Sequence, residues 1–112
     1  MTDDTLLRDP VALAKRLIQT GEEWAEANHA ASLLEETKGT LLAKLLKEHM
    51  SEPAWKADAL AKADERYVQH IQAMVDAQRE ATKCRVRYDA GRAFIDLARS
   101  AESTRRAEMA MR

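Results

Sequence analysis

The chain has 112 residues, enough for one domain at most, and its 18 basic and 19 acidic side chains leave a net charge of −1. That balance excludes a global electrostatic pull toward nucleic acid or an anionic membrane. Twenty-one alanines stand against four valines and three isoleucines, with 4% aromatic residues, three glycines and two prolines; a sheet needs more β-branched and aromatic residues and its turns need more Gly and Pro, so the fold class read here is all-α.

Residues 1–9 read as a flexible leader. The stretch MTDDTLLRDP is acidic and lacks the apolar centre of a signal peptide. No apolar run approaches the ~20 residues that span a bilayer, and the single cysteine, Cys84, excludes an intrachain disulfide framework. The expectation is a cytoplasmic protein. Asp9-Pro10 then supplies a helix start, because Asp9 can accept from backbone N–H groups as N-cap and Pro10 at the first position loses no helical hydrogen bond.

From Val11 to about His49 the apolar residues recur at helical spacing. Leu13, Thr20, Ala27, Leu34 and Leu41 are seven apart, as are Leu17, Trp24, Ala31, Lys38 and Leu45. The seam keeps phase across Gly21, which favours one helix over 10–49 despite a cost of up to about 1 kcal/mol for each interior glycine. The segment HMSEPAW marks the boundary, with a turn at 50–52. Ser51 suits the N-cap, and Met50 and Trp55 have the spacing of a hydrophobic staple. The second helix is expected over 53–109, with Gly91 as a candidate break.

A connection this short makes the two helices antiparallel neighbours, so the architecture expected is a long, coiled-coil-like helical hairpin. At 1.5 Å per residue the helices would measure ~60 and ~90 Å. Val11 would lie opposite roughly Gly91, and residues 92–112 would overhang, stranding Phe94, Ile95, Leu97 and Met109. Alanine contributes little buried area at roughly 25 cal/mol per Å², so a core made by one copy is thin, and oligomerisation is a common remedy. The second helix alternates large residues (Tyr67, Met74, Tyr88, Ile95) with small ones seven apart (Ala77, Cys84, Gly91, Ala98). The expectation is dimerisation into a helical bundle, with Tyr67, Met74, Tyr88, Phe94 and Ile95 at the interface.

Charge is uneven. Residues 79–112 hold 9 basic and 5 acidic groups, and Arg85, Arg92, Arg99 and Arg106 fall seven apart along one face. Two readings compete. The stripe could track a phosphate backbone or bind a partner, or it could pair internally: Glu22, Glu23 and Glu26 against Arg79, Lys83 and Arg85, with Asp3, Asp4 and Asp9 reaching Arg92 or Arg99. Internal pairing is the commoner outcome.

The remaining candidates are weaker. His29, His49 and His70 are far apart, and Glu26-Ala-Asn-His29 has a Glu-x-x-His spacing with no second copy to complete a di-metal site. Cys84 on the seam reads as a small buried residue, and no base is placed to activate it. Trp24, Trp55, Tyr67 and Tyr88 read as core or interface anchors before base-stacking platforms. No cofactor, metal or catalytic residue is assigned.

The stretches RLIQTGEEWAEANHAASLLEETKGTLLAKLL and YVQHIQAMVDAQREATKCRVRYDAGRAFIDLARSAESTRRAEMAMR resemble small helical accessory proteins of tailed bacteriophages and prophages. The resemblance implies a bacterial host cytoplasm and an accessory role, and it transfers no functional residue. Two functions follow as expectations: a non-enzymatic helical homo-oligomer that binds a protein partner, or a nucleic-acid-binding accessory of replication or recombination using the arginine stripe.

Overall fold

The computed structural model describes residues 9–111. The regular structure among them is helical throughout: α1 spans Pro10–Lys47, α2 Ala54–Ala63 and α3 Glu65–Ala110. Helices α1 and α3 pack against each other in opposite directions, giving the expected all-α helical hairpin. The flexible leader expected over 1–9 lies outside the described residues except for Asp9.

Asp9 is the N-cap of α1. Its Oδ1 accepts from the backbone N–H groups of Val11 and Ala12, each at 3.1 Å, so two donors at the helix start are satisfied. The helix runs unbroken through Gly21 and Gly39. Thr20, a polar residue in the apolar seam, turns its hydroxyl back onto the Leu17 carbonyl at 3.0 Å. At the other end, the N–H groups of Glu48 and His49 donate to the carbonyls of Leu45 and Leu46, a tightened last turn that closes α1 two residues before the expected His49.

The connection differs from the sequence expectation. Pro53, with φ −56° and ψ 150°, is the N-cap of α2, and its carbonyl accepts from Lys56 and Ala57. Ser51 is therefore no cap. With the cap two residues later, the fourth helical position falls on Ala57, which is 7% exposed, while Met50 and Trp55 stand 77% and 75% exposed and form no staple.

The second expected helix is two helices. Asp64 leaves α2 in an extended conformation at φ −62° and ψ 136° and then caps α3, its Oδ1 accepting from the Arg66 N–H at 2.8 Å. Aspartate competes with helical backbone bonding inside a helix and satisfies it at the start. The Arg66 guanidinium closes the junction, reaching Asp64 at 2.9 Å and Glu48 at 2.6 Å. Hydrogen bonds from Arg66 hold the Asp64 carboxyl well below its ordinary value of 3.8, at about 2, and the same guanidinium lowers Glu48.

A carboxyl depressed in the folded chain contributes stability above its unfolded value that disappears as pH falls through the folded value. The stability difference between the wild type and Arg66→Ala is therefore expected to be constant well above the ordinary values of 3.8 for Asp64 and 4.5 for Glu48, to shrink below them, and to vanish as pH falls through about 2. Urea unfolding of both proteins from pH 6 downward measures it. A difference as large in acid as at neutral pH would discard the clasp.

Because α2 takes up residues 54–63, α3 begins far later than the expected second helix, and the pairing shifts. Leu17, where Val11 was expected, meets Gly91: a Cβ there would sit 3.5 Å from the leucine Cδ1. α3 continues through Gly91 without a break. With Leu17 at Gly91, the start of α1 at Pro10 falls near Ala98, so the expected overhang of residues 92–112 is shortened and not removed, and residues 103–111 are exposed.

The chain divides into two compact units, Ala25–Thr82 and the residues up to Trp24 together with those from Lys83 onward. In the Ala25–Thr82 unit the buried residues are Ala31, Leu45, Ala57, Ala61 and Ala81. Four of the five are alanine, a composition that lets helix backbones approach closely. His70 adds a polar tie between helices, with Nε2 2.7 Å from the Leu34 carbonyl and 3.5 Å from Thr37 Oγ1. In the other unit Cys84, at 4% exposure, is the buried residue.

Candidate functional site between the start of α1 and the end of α3

The unit built from Trp24 and earlier residues with Lys83 and later ones carries the candidate site. Its inner end is well packed. The Trp24 and Tyr88 rings lie 5.4 Å apart at 37°. The tyrosine ring lies over Gly21, where a Cβ would sit 3.4 Å from it, at ordinary van der Waals contact. Toward Pro10 small residues line the space between the helices, Ala14 on α1 and Ala98 and Ala101 on α3.

The result is a groove with two connected lobes. One, of about 330 Å³, is lined by Leu13, Arg16, Leu17, Thr20, Arg87, Ala90, Gly91, Phe94 and Ile95. The other, of about 830 Å³, runs from Pro10 to Leu17 on α1 and from Ile95 to Arg106 on α3. Leu13, Leu17 and Ile95 belong to both. The floor is apolar, and among the described residues the lining carries Arg16, Arg87, Arg99, Arg105 and Arg106 against one carboxylate, Glu102.

Glu102 is already engaged. It accepts from Arg105 Nη2 at 2.7 Å and lies 3.6 Å from Arg106 Nε. The Arg105 hydrogen bond, followed by the nearby positive charges, holds its carboxyl below the ordinary range. Arg87 lies 3.8 Å from Glu23. Among the described residues, Arg16 and Arg99 make no ion pair within 4.0 Å, and the rim keeps a net positive excess.

The four arginines singled out by their spacing do not share one environment. A helix turns 100° per residue, so a seven-residue step drifts by about 20°. Over three steps the stripe rotates toward the α1-facing seam. Arg99 and Arg106 therefore line the groove, while Arg85 and Arg92 lie outside its lining. All four are exposed, and Arg85 and Arg92 also make no ion pair among the described residues. The expected facing of acids and bases is shifted as well: Glu23 meets Arg87 in place of the Arg79, Lys83 and Arg85 group. Asp9 is occupied at its cap, and Asp3 and Asp4 lie outside the described residues. Arg16, on the other helix, was not singled out from sequence; its signal is its place directly before Leu17 and three residues after Leu13 in the seam.

Of the expected interface residues, Phe94 and Ile95 line the groove floor and Tyr88 stacks with Trp24 inside the chain. Tyr67 and Met74 are half-buried in the Ala25–Thr82 unit. Leu97 and Met109 are 72% and 63% exposed. Among the described residues no three His, Cys, Asp or Glu side chains converge on a point that could hold a metal ion, and no helix is long and apolar enough to cross a membrane. No protein-family model, curated protein or solved structure matches the chain.

Proposed function

We propose that the chain is a non-enzymatic interaction module, a helical hairpin that receives part of a protein partner in the groove between the start of α1 and the end of α3. One observation carries this reading: Leu13 and Leu17 on α1 and Ile95 on α3 line a solvent-open groove of about 830 Å³ and its smaller neighbour, to which Phe94 is added. Grooves between packed helices receive amphipathic helices by burying i, i+3, i+4 and i+7 side chains. Assignment to a phage-type accessory protein of the bacterial cytoplasm rests on sequence resemblance alone and is part of the same proposal. So is self-association, for which Val86, Leu97 and Met109, 57%, 72% and 63% exposed, are available apolar residues on this part of α3.

A photoreactive benzoylphenylalanine in place of Phe94 tests the reading in an extract of cells that make the protein. One discrete polypeptide is expected to cross-link from this position and not from Asp58, which lies outside the groove. Equal cross-linking from both sites, or none from Phe94, would reject the assignment.

The second reading, nucleic-acid binding, is favoured by Arg85, Arg92 and Arg99, which are exposed and make no ion pair among the described residues. It explains the groove less well. A phosphate backbone offers nothing to bury against Leu13, Leu17 and Phe94, and the stripe rotates away from a single contact line.

A further inference from the structure

We infer that the groove selects an acidic amphipathic helix, an inference that rests on the protein-docking reading above and adds the chemistry of the partner. The floor and the rim make separate demands. Leu13, Leu17, Phe94 and Ile95 call for apolar side chains along one face of the occupant. The rim calls for the sign of charge on either side of that face. Among the described residues it holds five arginines and one carboxylate; that carboxylate is already shared by Arg105 and Arg106 and Arg87 is paired with Glu23, while Arg16 and Arg99 make no ion pair within 4.0 Å.

A partner helix with leucines at i, i+3, i+4 and i+7 and Asp or Glu beside them satisfies both demands. A basic amphipathic helix satisfies the floor and is repelled by the rim. An acidic segment without apolar side chains meets the rim and leaves the floor wet. Length also follows. The lining on α3 extends from Arg87 to Arg106, about 28 Å at 1.5 Å per residue, so the occupant presents roughly five helical turns.

Rim arginines act at short range. At physiological salt the screening length is about 8 Å, so Arg99 and Arg106, which line the groove, should matter to the occupant. Arg85 and Arg92 carry the same charge outside its lining and should matter far less. This makes a charge-matched control available within one helix.

The experiment uses the full chain and three fluorescent peptides of about five turns: a Leu/Glu amphipathic helix, the same leucines with Lys in place of Glu, and the same Glu residues with Ser in place of Leu. Anisotropy is expected to show binding of the Leu/Glu peptide alone, weakening as salt is raised. R99E/R106E should weaken it by about tenfold or more, whereas R85E/R92E, with an identical change in net charge, should stay within about twofold. Circular dichroism and melting of each variant establish that the fold is retained.

Equal binding of the Leu/Lys peptide, or equal loss in both double variants, would overturn the inference. So would duplex DNA or anionic vesicles binding more tightly than the Leu/Glu peptide and losing affinity in both double variants. If no peptide binds while the Phe94 cross-link still forms, the acidic-helix inference fails and the docking reading stands. If neither is seen, both fail.

Discussion

Leu45→Ala is expected to lower the midpoint of thermal unfolding by about 10 °C or more. Leu45 is 1% exposed and is the largest fully buried side chain among the described residues. Removing a buried leucine side chain costs its transfer free energy and leaves a cavity, together ~2–5 kcal/mol. In a domain of this size each kcal/mol moves the midpoint by roughly 4–8 °C. The other buried residues of the Ala25–Thr82 unit are alanines, so Leu45 is the one large side chain among them. Leu33, on the same helix and 52% exposed, is the control. Leu33→Ala should cost under about 1 kcal/mol. Differential scanning calorimetry of the two variants makes the comparison, and similar losses would mean that Leu45 does not anchor the hairpin.

The second large effect is expected from adding volume. Ala61 is fully buried at 0% exposure, and Ala57, one turn earlier on α2, is 7% exposed. Two small residues four apart present a flat face on a helix of only 10 residues and allow close packing. Ala61→Leu introduces three extra carbons where the packing leaves no room, at a cost of ~1–3 kcal/mol or more. Ala59→Leu, exposed on the same helix, changes stability by under about 0.5 kcal/mol and keeps helix propensity the same between the two. Urea denaturation reads the difference. An Ala61→Leu protein as stable as its Ala59→Leu counterpart would show that α2 is not held by close contact.

The parts of this structure that were legible in the sequence are those decided by local chemistry or by uninterrupted periodicity. Asp9-Pro10 announces the start of α1 because capping depends on two adjacent residues. Continuity through Gly21 follows from a seam that keeps phase. The same periodicity sorts α3, since Ala81, Cys84, Tyr88, Gly91 and Ile95 on the seam are all buried or half-buried.

What was not legible depends on tertiary choices. Ala63-Asp64-Glu65-Arg66 has no proline or glycine to mark a stop. Asp64 ends one helix and begins another because the Arg66 guanidinium also finds Glu48, 18 residues away. Missing that break displaced the predicted pairing by about six residues and made the expected overhang of α3 too long by the same amount. Ser51 offered a better cap than Pro53 by side-chain chemistry, yet Pro53 holds the position. The candidate site was half visible. Arg99 and Arg106 stood out by spacing, but the drift that separates them from Arg85 and Arg92 matters only once the facing helix is placed, and Arg16 gains meaning only from its neighbours across the groove.

The distribution of buried residues has a thermodynamic corollary for the grooved unit. Apart from Cys84, its described residues include none that is fully enclosed. Elements with little enclosed surface open at low free energy, so amide hydrogens near Pro10 and Arg106 would exchange with solvent faster than those around Leu45. A bound helix that covers the same leucines binds the closed form and not the opened one, and such linkage adds RT ln(1 + [L]/Kd) to the closed state. Occupancy would therefore be readable as protection against exchange at these two helix ends, with no change in the fold elsewhere.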